Sequence, residues 1–145
     1  MMITKKAEYA VSAMVDMASL EEGKSTTSKA ISERQNIPGT LIVQILSLLR
    51  KAGWVQSERG ASGGVYLIAD PSQITVREVI ELFDGPFMIT RCLLQDTPCQ
   101  NKEECPLRNI WIEAQEKMLE VLEKATVKDL TEAHHHPYPF PNNRL

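Results

Sequence analysis

Three features of the sequence predict a mainly α fold, a winged helix-turn-helix with a long C-terminal dimerisation helix. Apolar residues recur at helical spacing in the N-terminal segments. Two short β-type runs joined by a glycine-rich tip come next. A late segment then repeats its apolar residues in steps of three and four. With 145 residues, 43% hydrophobic and 24% charged, the composition suits a globular chain able to bury a core.

The first helix is expected from about Thr4 to Leu20. Ala7, Ala10, Val11, Met14, Met17 and Ala18 recur at helical spacing there, and Thr4 supplies a cap. Glu21, Glu22 and Gly23 end it. The polar run Ser25-Thr26-Thr27-Ser28 then caps a short helix around Lys29 to Gln35. Ile37-Pro38-Gly39 makes a turn, with Ile37 anchored in the core. A third helix, Thr40 to Ala52, stops at Gly53. It is apolar around most of its circumference, through Leu41, Ile42, Ile45, Leu46, Leu48 and Leu49. Thr40, Gln44, Ser47 and Lys51 form a single narrow polar stripe on it.

The β-type runs are Trp54 to Glu58 and Val65 to Ile68. The tip between them, Arg59-Gly60-Ala61-Ser62-Gly63-Gly64, is expected to use its glycines for positive φ angles. Asp70-Pro71 closes the unit, so residues 1–71 read as a winged helix-turn-helix DNA-binding region. Residues 72–91 form a connecting helix, opened by a Thr75/Glu78 capping box with Ile74 and Val79 as its staple and stopped by Gly85-Pro86. Residues 92–105 are a polar loop without periodicity. Pro106 opens a long helix to about Lys124. Along it Leu107, Trp111, Ala114, Met118, Val121 and Ala125 form a heptad-like seam, with Glu113–Lys117 and Glu120–Lys124 as favourable pairs outside it. Thr126 and Asp129 suggest one last short helix, and residues 106–133 read as the dimerisation region. The competing role for the seam is packing against its own domain. The tail, 134–145, with its three histidines and three prolines, is expected to be disordered.

Lys and Arg number 16 against 19 Asp and Glu, a net charge of -3. That excludes nucleic-acid binding by bulk charge. The imbalance is local: residues 1–71 hold 8 basic and 7 acidic side chains, residues 72–145 hold 8 and 12. The N-terminal half is therefore the one suited to an anion. A DNA major groove, about 12 Å wide, admits one helix. On the third helix Gln44 can pair with adenine through both ends of its amide, and Arg50 and Lys51 suit phosphates. Arg59 in the wing suits a narrow minor groove. Thr40, Gln44, Ser47, Arg50, Lys51, Arg59 and Ser62 are the candidate DNA contacts. One copy neutralises few phosphates, so specific binding calls for a homodimer. The competing reading is a winged helix that serves as a protein-interaction module. No stretch approaches the roughly 20 apolar residues of a membrane span, and the opening MMITKKAEY lacks the pattern of a signal peptide. No membrane partner and a cytoplasmic location are expected. Nor does the chain hold a Ser/His/Asp arrangement, a phosphate loop or paired carboxylates, so no enzyme is expected.

The three cysteines, Cys92, Cys99 and Cys105, lie in one loop with the spacing C-x6-C-x5-C. An odd count argues against a disulfide framework, and confinement to one loop points to a shared ligand. The gaps are wider than the C-x2-C of zinc knuckles and suit a larger object such as an iron–sulfur cluster. On spacing alone a cluster, zinc, a redox thiol pair and inert thiols all stay open. Three thiolates leave one coordination position, for which Glu8, Asp96, His134, His135, His136, water, a small thiol or a partner-chain group are candidate donors.

The segments ITKKAEYAVSAMVDMA, ISERQNIP, LLRKAGWVQSERGASGGVYL and the cysteine loop leading into CPLRNIW together resemble the Rrf-two type of iron–sulfur-sensing winged-helix transcription regulator, over about residues 1–133. The resemblance implies a homodimeric repressor on palindromic promoter DNA. It also implies an iron–sulfur cluster held by Cys92, Cys99 and Cys105, whose loss or modification changes DNA affinity or site choice. The signal would be iron or cluster status, redox state or nitric oxide. Cluster-assembly regulators of this type place a histidine ligand where this chain has Arg108, which cannot coordinate, and their first cysteine gap is one residue shorter. Nitric-oxide regulators complete a four-iron cluster with an acidic residue near the partner subunit's N-terminus, and the matching position here is Glu8. The resemblance therefore favours a four-iron cluster with Glu8 as a candidate fourth ligand, a two-iron cluster being the alternative. Some relatives lack the cysteines and sense cysteine supply through a partner enzyme, whereas this chain carries the full triad. Outside this class stands a zinc-stapled winged-helix adaptor that binds protein partners and not DNA.

Overall fold

The computed structural model describes residues 3–94, 99 and 101–132. The expected disorder of 134–145 and the candidate donors Asp96, His134, His135 and His136 fall outside them. The helices are α1 (Lys5–Ala18), α2 (Ser28–Gln35), α3 (Gly39–Lys51), α4 (Val76–Asp84), α5 (Pro106–Lys124) and α6 (Val127–Glu132). Strands β1 (Val55–Glu58) and β2 (Gly64–Leu67) pair antiparallel between α3 and α4. Where the sequence passes from the connecting region into the loop, Arg91–Leu93 forms one 3-10 turn.

Local capping explains where most helices begin and end. Thr4, Thr27 and Thr75 each accept a backbone N–H of the first turn they precede. The Thr75/Glu78 capping box is complete, and its staple residues Ile74 and Val79 are both buried. Helix α2 ends on Asn36, which takes the left-handed conformation at φ 51°. Helix α3 starts one residue earlier than the sequence indicates. Pro38 precedes it without a side-chain cap, its ring having already fixed φ near the helical value.

Helix α1 is the centre of the core. Ala10, Ala13, Met14 and Met17 are buried among Ile31, Ile42, Ile45, Leu49, Val55, Val79 and Val127. The alanines give α1 little girth, which lets α3, α4 and α6 all approach it. Its N-terminus is fastened to the end of α4, where the Thr4 N–H and hydroxyl donate to the Asp84 carboxylate at 2.9 and 2.6 Å. Charge also enters the core. The Asp16 side chain is 5% exposed and accepts both prongs of the Arg34 guanidinium, at 2.9 and 2.6 Å, and the Gln35 amide at 2.9 Å. Arg34 also donates to the buried Thr26 hydroxyl at 2.8 Å, so one guanidinium joins α1, α2 and the segment beside the wing.

That segment positions the wing. Thr26 and Val65 exchange both backbone hydrogen bonds, at 2.8 and 2.6 Å, and so pin β2 to the body. Among the tip glycines only Gly60 takes a positive φ, at 118°. Gly63 and Gly64 answer a different need. A Cβ on Gly63 would run into the Glu58 carbonyl, and one on Gly64 into the Thr26 carbonyl. Gly64→Ala is expected to break the Thr26–Val65 pairing and to lower stability by about 1–3 kcal/mol. A fall in the denaturation midpoint with unchanged slope would show it.

The chain returns to its core after α5. Val76 N–H donates to the Ala125 carbonyl at 2.8 Å and Val127 N–H to the Ile74 carbonyl at 2.9 Å, an antiparallel bridge between Thr75 and Thr126. Val127 is fully buried, and Leu130 packs against the same cluster. Thr126 and Asp129 cap α6 reciprocally, as their spacing indicates. The Thr126 N–H and hydroxyl hold the Asp129 carboxyl below its ordinary range. That contribution to stability is present above the ordinary carboxylate pKa and is lost as pH falls through the lowered one.

Helix α5 buries none of its residues fully. Met118, Leu119 and Leu122 lean on the small cluster of Ala7, Ile80 and Phe87. Leu107, Ile110, Trp111 and Val121 stay exposed, with Ala114 among them. The heptad-like seam is thus only partly turned inward, through Met118 and Ala125, and Ile110 widens its exposed part.

Candidate nucleic-acid interface and cysteine segment

The α3 stripe lies where its spacing placed it. Thr40, Gln44 and Lys51 are exposed and Ser47 is half-buried, while Ile42, Ile45, Leu46 and Leu49 on the opposite side fill the core. The wing stands beside it, and Arg50 joins the two by donating to Ser57 Oγ at 2.9 Å. Arg59 and Ser62 sit exposed at the wing tip. On the wing's far side the Tyr66 hydroxyl donates to Glu58 at 3.1 Å. Desolvation and that bond push the Tyr66 pKa up, so the hydroxyl keeps its proton.

Two residues outside the sequence reading belong to this surface. Lys6, on the first turn of α1, donates its Nζ to Gln44 Oε1 at 3.2 Å, which brings a cation from another helix to the middle of the stripe. Val43 is 57% exposed on α3. Its position three after Thr40 and four before Ser47 was readable as the edge of the stripe. Lys6 had no such signal, because its place depends on how α1 crosses α3. These groups give the surface amide, hydroxyl, ammonium and guanidinium donors together with one apolar side chain. That is the mixture that base edges and phosphates accept.

The cysteines are spread along the segment between α4 and α5. Cys92 lies in the 3-10 turn with its Sγ 3.4 Å from Thr90 Oγ1, Cys99 is exposed, and Cys105 is the residue before α5. Among the described residues no three His, Cys, Asp or Glu side chains converge as a metal site. The fold of the single chain therefore does not itself gather Cys92, Cys99, Cys105 and Glu8. Glu8 is engaged elsewhere, paired with Lys5 at 2.5 Å, and its hydrogen bond and charge raise the Lys5 pKa. Arg108 takes a structural part, donating Nη1 to the Cys92 carbonyl at 2.8 Å. Nearby, Ile89 N–H donates to Gln115 Oε1 at 2.9 Å, so α5 holds the cysteine segment at two points. As a donor set, three free thiols on one short segment suit an iron–sulfur cluster.

No described helix is long and apolar enough to cross a membrane. The family profile described as "Rrf2: Iron-dependent Transcriptional regulator" matches residues 3–133. The HTH-type transcriptional regulator IscR of Klebsiella pneumoniae is 38% identical over 130 residues, which span 90% of this chain and 79% of the relative. The regulator CymR of Bacillus subtilis is 32% identical over 130 residues, 90% of this chain and 89% of that one. The solved structure of CymR, the global cysteine regulator of B. subtilis, superposes with a TM-score of 0.75 at 30% identity, over 91% of this chain and 97% of its own. IscR of T. potens gives 0.73 at 29% identity, over 95% and 94%. These are regulators and not enzymes, and their fold is the winged helix-turn-helix expected here. With the profile spanning every described residue and both relatives aligned over 130 residues, the chain belongs to the Rrf2 family of transcriptional regulators.

Proposed function

We propose that the chain is a homodimeric repressor that binds palindromic promoter DNA through α3 and the wing, with an affinity set by an iron–sulfur cluster on Cys92, Cys99 and Cys105. The observation that carries the reading is the pairing of an exposed polar α3 face and its wing with three free thiols confined to the segment before α5. Thr40, Gln44 and Ser47 meet base edges, Arg50 and Lys51 meet phosphates, and Arg59 with Ser62 reaches the minor groove. A four-iron cluster fits best, with Glu8 of the partner subunit as the fourth ligand once released from Lys5. When bound, such a group supplies a redox- and nitric-oxide-sensitive centre with one non-thiolate position.

The chain's own residues carry the coupling. Arg108 and Gln115 tie the cysteine segment to α5, and Arg77 bridges α4 to α5 through Glu123 at 2.8 Å. An ordered or disordered cysteine segment thus changes how α5 seats on α4, and with it the spacing of two α3 faces in a dimer. A coupling of about 1–3 kcal/mol changes affinity roughly 5–150-fold.

Protein purified without oxygen is expected to be brown and to hold iron and sulfide, and Cys92→Ser, Cys99→Ser or Cys105→Ser to lose both. Gel shifts of loaded and stripped protein are expected to differ in affinity or site choice. Colourless protein holding zinc, without DNA binding, would favour the zinc-stapled adaptor. Equal affinity and site choice in both forms would remove the sensing role.

A further inference from the structure

The amide of Gln44 suits adenine when considered alone, yet its surroundings favour another base. Lys6 Nζ stands 3.2 Å from Gln44 Oε1. An ammonium has three donors and no acceptor, so an amide beside it must present its oxygen. The Nε2 amine is then the end turned away from α1 and left to meet a partner. One residue earlier, Val43 is 57% exposed, while Ile42, Ile45, Leu46 and Leu49 of the same helix are buried. A donor and a branched apolar group therefore sit side by side on the outer face of α3. In the major groove, thymine alone offers the matching pair, the O4 acceptor next to the C5-methyl group. Adenine needs both ends of the amide, and guanine offers acceptors without a methyl.

We infer that Lys6, Gln44 and Val43 form one reading head that selects thymine. Gln44 Nε2 donates to O4, Val43 covers the methyl, and Lys6 is a positioning residue that fixes which end of the amide is presented. The inference rests on the DNA-binding reading above and deepens it by naming the base.

Selection of duplexes from a random pool tests it, with wild-type protein beside Gln44→Ala, Val43→Ala, Lys6→Met and Lys6→Arg. Gln44 and Val43 are exposed and Lys6 is half-buried, and none of the three belongs to the core, so thermal melts are expected to coincide with wild type. The position whose preference Gln44→Ala relaxes is expected to be thymine. Deoxyuridine there keeps O4 and removes only the methyl. It is expected to weaken wild-type binding roughly 3–10-fold and to leave Val43→Ala indifferent. Lys6→Met frees the amide to turn and is expected to shift that position toward adenine, whereas Lys6→Arg retains thymine. A lysine that merely held a phosphate or supported the fold would change affinity without changing base identity. Adenine or guanine selected by the wild type at that position would overturn the inference. So would equal binding of thymine and uracil duplexes, or a Lys6→Met variant with uniformly weaker binding and unchanged preference. No enrichment by the wild type would overturn the DNA-binding reading, and this inference with it.

Discussion

Glutamate at both Trp111 and Val121 is expected to leave the chain folded but monomeric, and to weaken its binding to a palindromic site roughly 10²–10⁴-fold. The folded core should not notice the change. Trp111 is 40% and Val121 66% exposed, and α5 packs on α4 through Met118, Leu119 and Leu122 instead. The exposed stripe of Leu107, Ile110, Trp111, Ala114 and Val121 is an apolar surface that a two-fold partner would cover with the same residues. Carboxylates placed there would face one another across the axis and repel. The loss in DNA affinity is expected to be large because the chain is not basic. On the proposed reading each copy would bring only Arg50, Lys51 and Arg59 to phosphates and the minor groove, few contacts by the standard of tight binding. Sedimentation and gel shift together check this. A variant that remained dimeric would exclude the stripe as the interface.

Arg34→Ala is expected to cost about 2–4 kcal/mol of stability, and to do so through a carboxylate more than through the arginine. The guanidinium is 43% exposed and could be hydrated readily, but Asp16 is 5% exposed and would keep only the Gln35 amide. Removing one partner of such a pair leaves a desolvated charge behind, which costs more than the net value of the intact bridge. Arg34→Lys is expected to recover only part, since an ammonium cannot span both carboxylate oxygens and Thr26 in one plane. Asp16→Asn should be milder than Arg34→Ala, and the double variant should cost less than the sum of the two. A thermodynamic cycle from urea titrations reads the coupling directly. Additive losses would show that the three groups act independently.

The contrast between these two regions marks what the amino-acid order made legible. Capping at Thr4, Thr75 and Thr126 depends on residues three apart, so the sequence carries it in full. The stripe on α3 was readable for the same reason, because helical geometry alone sorts Thr40, Gln44, Ser47 and Lys51 onto one face. Asp16 and Arg34 are 18 residues apart, and Lys6 and Gln44 are 38 apart. Their meeting depends on helix crossings that no local pattern encodes. The glycines of the wing were recognised as special, but at Gly63 and Gly64 the requirement is room for a carbonyl rather than freedom of φ. On α5 the spacing located the helix and most of its exposed apolar residues, while Met118 leans on the cluster of Ala7, Ile80 and Phe87 and Ile110 joins the exposed set. The cysteines were legible as a group by their spacing, though among the described residues their side chains do not converge.

The two ends of α5 are not held alike. Its C-terminal end is stitched to the start of α4 by backbone bonds around Thr75 and Thr126, whereas the side chains of Arg108, in its first turn, and Gln115, at its middle, reach the segment before it. A rod of 19 residues is roughly 28 Å long, so pivoting about the stitched end by some 5° sweeps the cysteine end through about 2.5 Å. The thiols therefore occupy the position of greatest leverage on the helix, where the smallest force yields the longest travel.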